Sequence, residues 1–304
     1  LFRVALGQWE QGIKNYRAYN ETFKDKPNIN GIKLEIARIY EEHQKYAEAS
    51  QAYLEFYTPP KPVKGQPAPA MGSLDELMFA RLHYGLLMDK LGQGAKVGQH
   101  WKDTLAFFDA QKKAGAQYEL SVEYVAQIMY ILAEPQYQAY MAMKISGPGD
   151  KKLNQKQTNK LLTDQLVAKV KAMGEVEKTY TAIISTGAGE WGLAALARLG
   201  TAYENLSKSL TGSWVPTYLT EDQKELYTMA LEDKAYPQIQ KAIAAYKAAL
   251  DKSYELNLYN ENTANATRRL GELAPDDYPG LFEQIPQPRY SAPSTFTGNF
   301  ESEL

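Results

Sequence analysis

Three histidines, His43, His83 and His100, are the side chains best suited to hold a metal or move a proton, and their spacing serves neither task. No two lie three or four residues apart on one helix face, and no HExxH occurs. Glu41-Glu42-His43 offers three donors in a row, but adjacent residues of a helix point in different directions. His43 reads instead as a surface residue near a helix C-terminus, where partial negative charge suits it. The carboxylate pairs Glu41/Glu42, Glu175/Glu177 and Asp276/Asp277 are neighbours in sequence. Acid–base catalysis needs two carboxyls held across a pocket in different environments. There is no GxSxG, no Walker A loop and no GxGxxG. Gly187-Ala188-Gly189 reads as a turn between helices. The chain has no cysteine, which removes thiolate chemistry, disulfides and cysteine-ligated metals. The expectation is a chain that is not an enzyme, with no catalytic residue, metal or cofactor.

Charge narrows the partners. The 34 basic and 36 acidic side chains leave a net charge of −2, without the basic excess of a nucleic-acid binder. No run approaches 18 apolar residues, so no segment reads as a membrane span. Residues 141–180 hold eight lysines against four acids, and residues 272–304 hold six acids against Arg289. Either the acidic tail lies on the lysine-rich helix or both are solvated surfaces.

The 22 tyrosines are the compositional oddity. Tyr16, Tyr53, Trp101, Tyr140, Tyr180 and Tyr246 sit at spacings that suit core anchors between helices, and Tyr40 and Tyr203 fit the same pattern. Trp214, Tyr218, Tyr278 and Tyr290 fall in loops or in the tail; they serve either a partner contact or loop packing.

Apolar spacing predicts helices over 7–24, 31–43, 45–57, about 74–90, 95–113, 118–133, 135–145, 155–185, 190–208, 221–232, 236–256 and 259–274. Pro135 is placed at the first turn of a new helix, where proline is tolerated. Ser73 with Glu76, and Thr220 with Gln223, are capping boxes. The proline-rich loop 58–72, with five prolines between Pro59 and Pro69, and the loops 146–154 and 209–220 interrupt the helices. A helical domain over 1–275 is expected, followed by an extended or disordered tail over 276–304. The chain begins at Leu1 in what reads as the second helix of a pair. A segment before it is therefore expected, and a lipid anchor or targeting sequence would have belonged there.

Within this frame one pattern recurs. Ile36-Ala37-Arg38-Ile39-Tyr40 is followed by Tyr46, Ala49, Tyr53 and Phe56. A small residue on one helix and a small residue on the next permit close approach, and aromatics fill the space between. Gly7–Tyr16 aligns with Gln44–Tyr53, an offset of 37 residues. Leu199-Gly200-Thr201-Ala202-Tyr203 repeats the first half; Ala242, Tyr246 and Ala249 repeat the second; Gly85, Val97 and Trp101 form a weaker copy. Such a pair cannot bury its apolar face alone and calls for neighbours of its own kind.

These residues resemble the tetratricopeptide repeat, well over 7–57, fairly over 193–204 and 239–250, and poorly over 105–175. Pro27 and Pro59 stand where that family places a proline; Lys33 and Phe56 depart from its pattern. The resemblance implies an all-α, right-handed superhelical solenoid of antiparallel helix pairs with about six irregular repeats. Its first helices would line an inner groove. That groove would present Leu34, Arg38, Glu41 and Glu42, then Asp89 and Lys90, then Thr201, Glu204 and Asn205. Glu41, Glu42 and Glu204 would repel a terminal carboxylate, so a basic or mixed-charge protein or peptide is the expected partner. The alternative is an ordinary solvated groove.

Gly7–Tyr19 and Tyr246–Glu261 further resemble tetratricopeptide proteins of the bacterial, chiefly deltaproteobacterial, cell envelope and gliding machinery. That likeness implies a protein-binding scaffold in the periplasm or at the outer membrane, in motility or envelope biogenesis, often as a lipoprotein; the cytoplasm stays open. Two other readings are a helical support domain of a cell-wall-cleaving enzyme and a solenoid that binds a small molecule or lipid.

Overall fold

The computed structural model describes residues 7–23, 29–59 and 71–279. These form α1 (Trp9–Thr22), α2 (Ile29–Glu42), α3 (Tyr46–Tyr57), α4 (Leu74–Lys90), α5 (Gly94–Lys113), α6 (Ser121–Ala142), α7 (Gln155–Ile184), α8 (Glu190–Thr211), α9 (Glu221–Leu256) and α10 (Glu261–Leu273). No strand occurs among the described residues, and the chain is all-α. Most of loop 58–72 and all of the tail beyond 279 lie outside the described residues, as do Pro27 and Tyr290.

Local chemistry starts the helices where the sequence indicates. Ser73 Oγ accepts from the Glu76 backbone while Glu76 returns the bond to the Ser73 N–H. Thr220 and Gln223 do the same for α9. Asn154 and Gln157 form a third such box at α7, one that the sequence reading missed. Each satisfies two N–H groups that a helix start leaves open.

Two expected breaks are not breaks. Residues 118–133 and 135–145 were expected as separate helices, and so were 221–232 and 236–256. The chain instead runs as α6 straight through Pro135 and as α9 straight through Pro237. An interior proline costs about 3 kcal/mol. Burial on both sides offsets that cost: Ala133, Tyr137 and Tyr140 around the first, Ala235, Ala242 and Tyr246 around the second. α9 reaches 36 residues, about 54 Å at 1.5 Å per residue, and stops where Asn257 turns left-handed at φ 50°.

Each helix packs on the next in sequence. In addition α4 packs on α6, α6 on α8 and α8 on α10. α8 is the most enclosed: it touches α6, α7, α9 and α10, and 13 of its residues are buried. Its run of Gly192, Ala194, Ala195, Ala197, Gly200 and Ala202 permits the close approaches. Tyr53, Trp101, Tyr140, Tyr180 and Tyr246 are among the largest fully buried side chains, as their spacing predicts, while Tyr16 and Tyr40 are half-buried. Tyr278, expected in the tail, packs against the core cluster that includes Leu270.

Candidate functional site

At two helix junctions a carboxylate on one helix accepts from a tyrosine hydroxyl on the next and meets a basic side chain on the helix after that. At the first junction Glu41 of α2 accepts from the Tyr53 hydroxyl of α3 at 2.9 Å, and His83 Nδ1 of α4 lies 2.7 Å from the same oxygen. Burial by itself pushes the Glu41 carboxyl up; the His83 and Tyr53 hydrogen bonds, with the charges of His83 and Lys90, outweigh it and leave the group below the usual carboxylate range. Burial, then the facing carboxylate, raises the Tyr53 phenol.

The last junction repeats this arrangement. Glu204 of α8 accepts from the Tyr246 hydroxyl of α9 at 2.7 Å and from Arg269 Nε of α10 at 2.8 Å. A second Arg269 nitrogen meets the other Glu204 oxygen, making a fork. Lys208 adds an ion pair at 3.2 Å. Glu204 is only 4% exposed, yet burial's upward push on its carboxyl is again overcome by Arg269, Tyr246 and Lys208. Glu41 follows Ala37 by four residues and Glu204 follows Gly200 by four. The small residue lets the tyrosine ring approach: a Cβ on Gly200 would lie 2.6 Å from a Tyr246 ring atom.

A middle junction has the same ingredients in a looser form. Arg198 of α8 donates to the Tyr130 hydroxyl at 2.7 Å and pairs with Glu134 at 3.3 Å, both on α6. Tyr180 of α7 packs edge-on against Tyr130 and Tyr137. At the remaining junction Trp101 lies over Gly85, where a Cβ would overlap the indole. Asp89, four residues after Gly85, is exposed, and Trp101 Nε1 has no hydrogen-bond partner among the described residues.

The residues expected in the groove divide accordingly. Arg38 is exposed and lies over the Phe79 ring at 4.3 Å; Lys90 lies over Tyr46 at 4.8 Å. With Glu41 they form one mixed-charge patch across α2, α3 and α4, and Glu42 and Asp89, the sequence neighbours of Glu41 and Lys90, are exposed. Thr201, Glu204 and Asn205 line a recess of about 310 Å³ with Lys208, Arg268 and Arg269. Leu34 is a correction: it is buried in the core around Tyr53 and offers nothing to a groove. Glu41 and Glu204 also differ from expectation, because each is already paired and neither presents a free negative charge. Of the loop aromatics, Trp214 packs on Gly147. Tyr218 is exposed, with its hydroxyl meeting Asn159.

The histidines are spent on packing: His43 stacks on Trp9, His83 serves Glu41, and His100 bonds to the Arg81 carbonyl at 2.8 Å. Among the described residues no group of three His, Asp or Glu side chains could hold a metal ion.

Lys169 is a buried charged residue that the sequence did not single out. It is fully buried, donates to the Met143 carbonyl and to Asn205 Oδ1 at 2.6 Å each, and lies over the Tyr140 ring. The signal was its register, since Leu162, Lys169, Met173, Val176, Tyr180 and Ile183 share the buried stripe of α7. Burial holds its ammonium below the ordinary lysine range. In the alkaline window just below about pH 10.4 the unfolded chain therefore binds more protons than the folded one, and Lys169 makes stability rise with pH there. Lys169→Met is expected to flatten that rise, read from urea midpoints taken from neutral pH to about pH 10. An unchanged slope would mean that Lys169 titrates as an ordinary lysine.

No protein-family model matches the sequence, and no curated protein matches it.

Proposed function

We propose that the chain is a stack of helix pairs of the tetratricopeptide kind, α2/α3, α4/α5, α6/α7 and α8/α9, flanked by α1 and α10 as half pairs. It acts as a scaffold for a protein or peptide and catalyses no reaction. The observation that carries the reading is the acid–tyrosine–base junction that stands at the first and last helix junctions and, in looser form, at α6, α7 and α8. Each one ties a first helix to its own second helix and to the first helix of the following pair. The packing of α4 on α6, α6 on α8 and α8 on α10 supports the same serial order. Rigid stacks of this kind present an extended surface rather than a reactive pocket.

The working surface in this reading is the patch of Arg38, Glu42, Asp89 and Lys90. Its mixed charge suits a mixed-charge helix or extended peptide. Placement in a bacterial envelope, with a role in motility or envelope biogenesis, rests on the resemblance of 7–19 and 246–261. Among the described residues no helix is long and apolar enough to cross a membrane.

The test is a display screen of mixed-charge peptides against the full chain, followed by Arg38→Glu with Lys90→Glu. The double variant is expected to weaken a selected peptide at least tenfold, about 1.4 kcal/mol, while its helical circular dichroism spectrum and cooperative melting are retained. Undiminished binding would remove this face from the proposal.

A further inference from the structure

We propose that a groove between α7 and α9 is a binding site for a carboxylic acid with one short apolar tail. Both helices pack on α8 or its flanking loops, and their N-terminal halves leave a space of about 250 Å³. Leu162 and Leu166 of α7 face it from one side, Tyr227 and Leu231 of α9 from the other. Each pair is spaced i, i+4, so each helix turns one apolar stripe to the gap.

Two polar groups at this apolar space lack partners. Ser213 is 7% exposed, and its hydroxyl has no hydrogen-bond partner among the described residues. Lys234 follows Tyr227 by seven residues on the same α9 stripe; it is exposed, and no ion pair joins it among the described residues. An unpaired buried hydroxyl is unfavourable, and buried polar groups are generally satisfied. A carboxylate could accept from both groups while its tail lies on the leucines. An alcohol would lack the charge that Lys234 attracts, and an amine would be repelled by it. The volume falls below the roughly 300–1,000 Å³ of drug-sized sites, which selects one short chain.

The loop that carries Ser213 is braced from both directions. Trp214 presses on Gly147 so closely that a Cβ there would overlap the indole. The Tyr218 hydroxyl meets Asn159, which itself lines the groove. The hydroxyl is thus held in place before any ligand arrives, which lowers the ordering cost of binding. This site is independent of the scaffold reading, since none of its residues belongs to the Arg38–Lys90 patch.

Octanoate, octanol and octylamine, each below its micellar concentration, are titrated into the full chain by calorimetry at neutral pH. Octanoate is expected to saturate one site and raise the thermal midpoint, with octanol at least tenfold weaker and octylamine silent. Lys234→Gln should weaken octanoate about tenfold, the loss of one charge-assisted hydrogen bond, and leave octanol unchanged. Ala230 is exposed on the same lining, so Ala230→Trp should block the groove without touching the core. The proposal is overturned if octanoate fails to bind, binds no better than octanol, or binds Ala230→Trp as it binds the native chain.

Discussion

Arg269→Ala is expected to destabilise the folded chain by about 3–5 kcal/mol, the usual cost of removing one partner from a buried ion pair. Glu204 is nearly enclosed, and Arg269 holds both of its carboxylate oxygens in a two-pronged contact. Without the guanidinium the carboxylate keeps Tyr246 and Lys208, but the Lys208 side chain is 68% exposed. A cation that solvated compensates weakly. The loss would be read from urea unfolding at neutral pH. Glu204→Gln combined with Arg269→Ala should recover part of it, since no buried charge is then left alone. A loss below about 1 kcal/mol for the single variant would show that Lys208 and water replace Arg269, and the junction would lose its part in holding α8 to α10.

Tyr53→Ala should cost about 3–5 kcal/mol as well, for a different reason. Tyr53 is fully buried between Ala37, Ala49, Leu77 and Ala80, and removing an aromatic ring from such a place leaves a cavity. Tyr53→Phe keeps the ring and removes only the bond to Glu41, at about 1.5–3 kcal/mol for a hydrogen bond to a charged group. Measuring both by chemical unfolding separates ring from hydroxyl. If the two variants fell by the same amount, the ring would contribute little and Tyr53 would not be an anchor.

The anchors were legible because helical packing is local. Ala37, Tyr53 and Ala49 lie within one pair, so their spacing alone places the ring between two small residues. The same logic reached Tyr246, because Gly200 and Ala242 keep the small-residue signature on both sides. The polar partners were not legible. Arg269 is 65 residues from Glu204 and His83 is 42 from Glu41, and no periodicity links a carboxylate to a basic side chain two helices away. Leu34 was assigned to a groove by analogy with a repeat pattern, whereas its core register placed it inside. The interruptions before Pro135 and between residues 232 and 236 were expected from local sequence, while the packing around Tyr137, Tyr140 and Tyr246 that keeps each helix continuous involves other parts of the chain.

The rings seated on glycines constrain how this sequence can drift. Trp101 on Gly85, Trp214 on Gly147 and Tyr246 on Gly200 each occupy the volume that a β-carbon would need. A lineage that gains alanine at one of these glycines before trimming the facing ring passes through an overpacked intermediate. One that trims the ring first passes through a cavity, which a later methyl can partly refill. Changes at the glycine and at the facing ring are therefore coupled, and their effects on stability will not add.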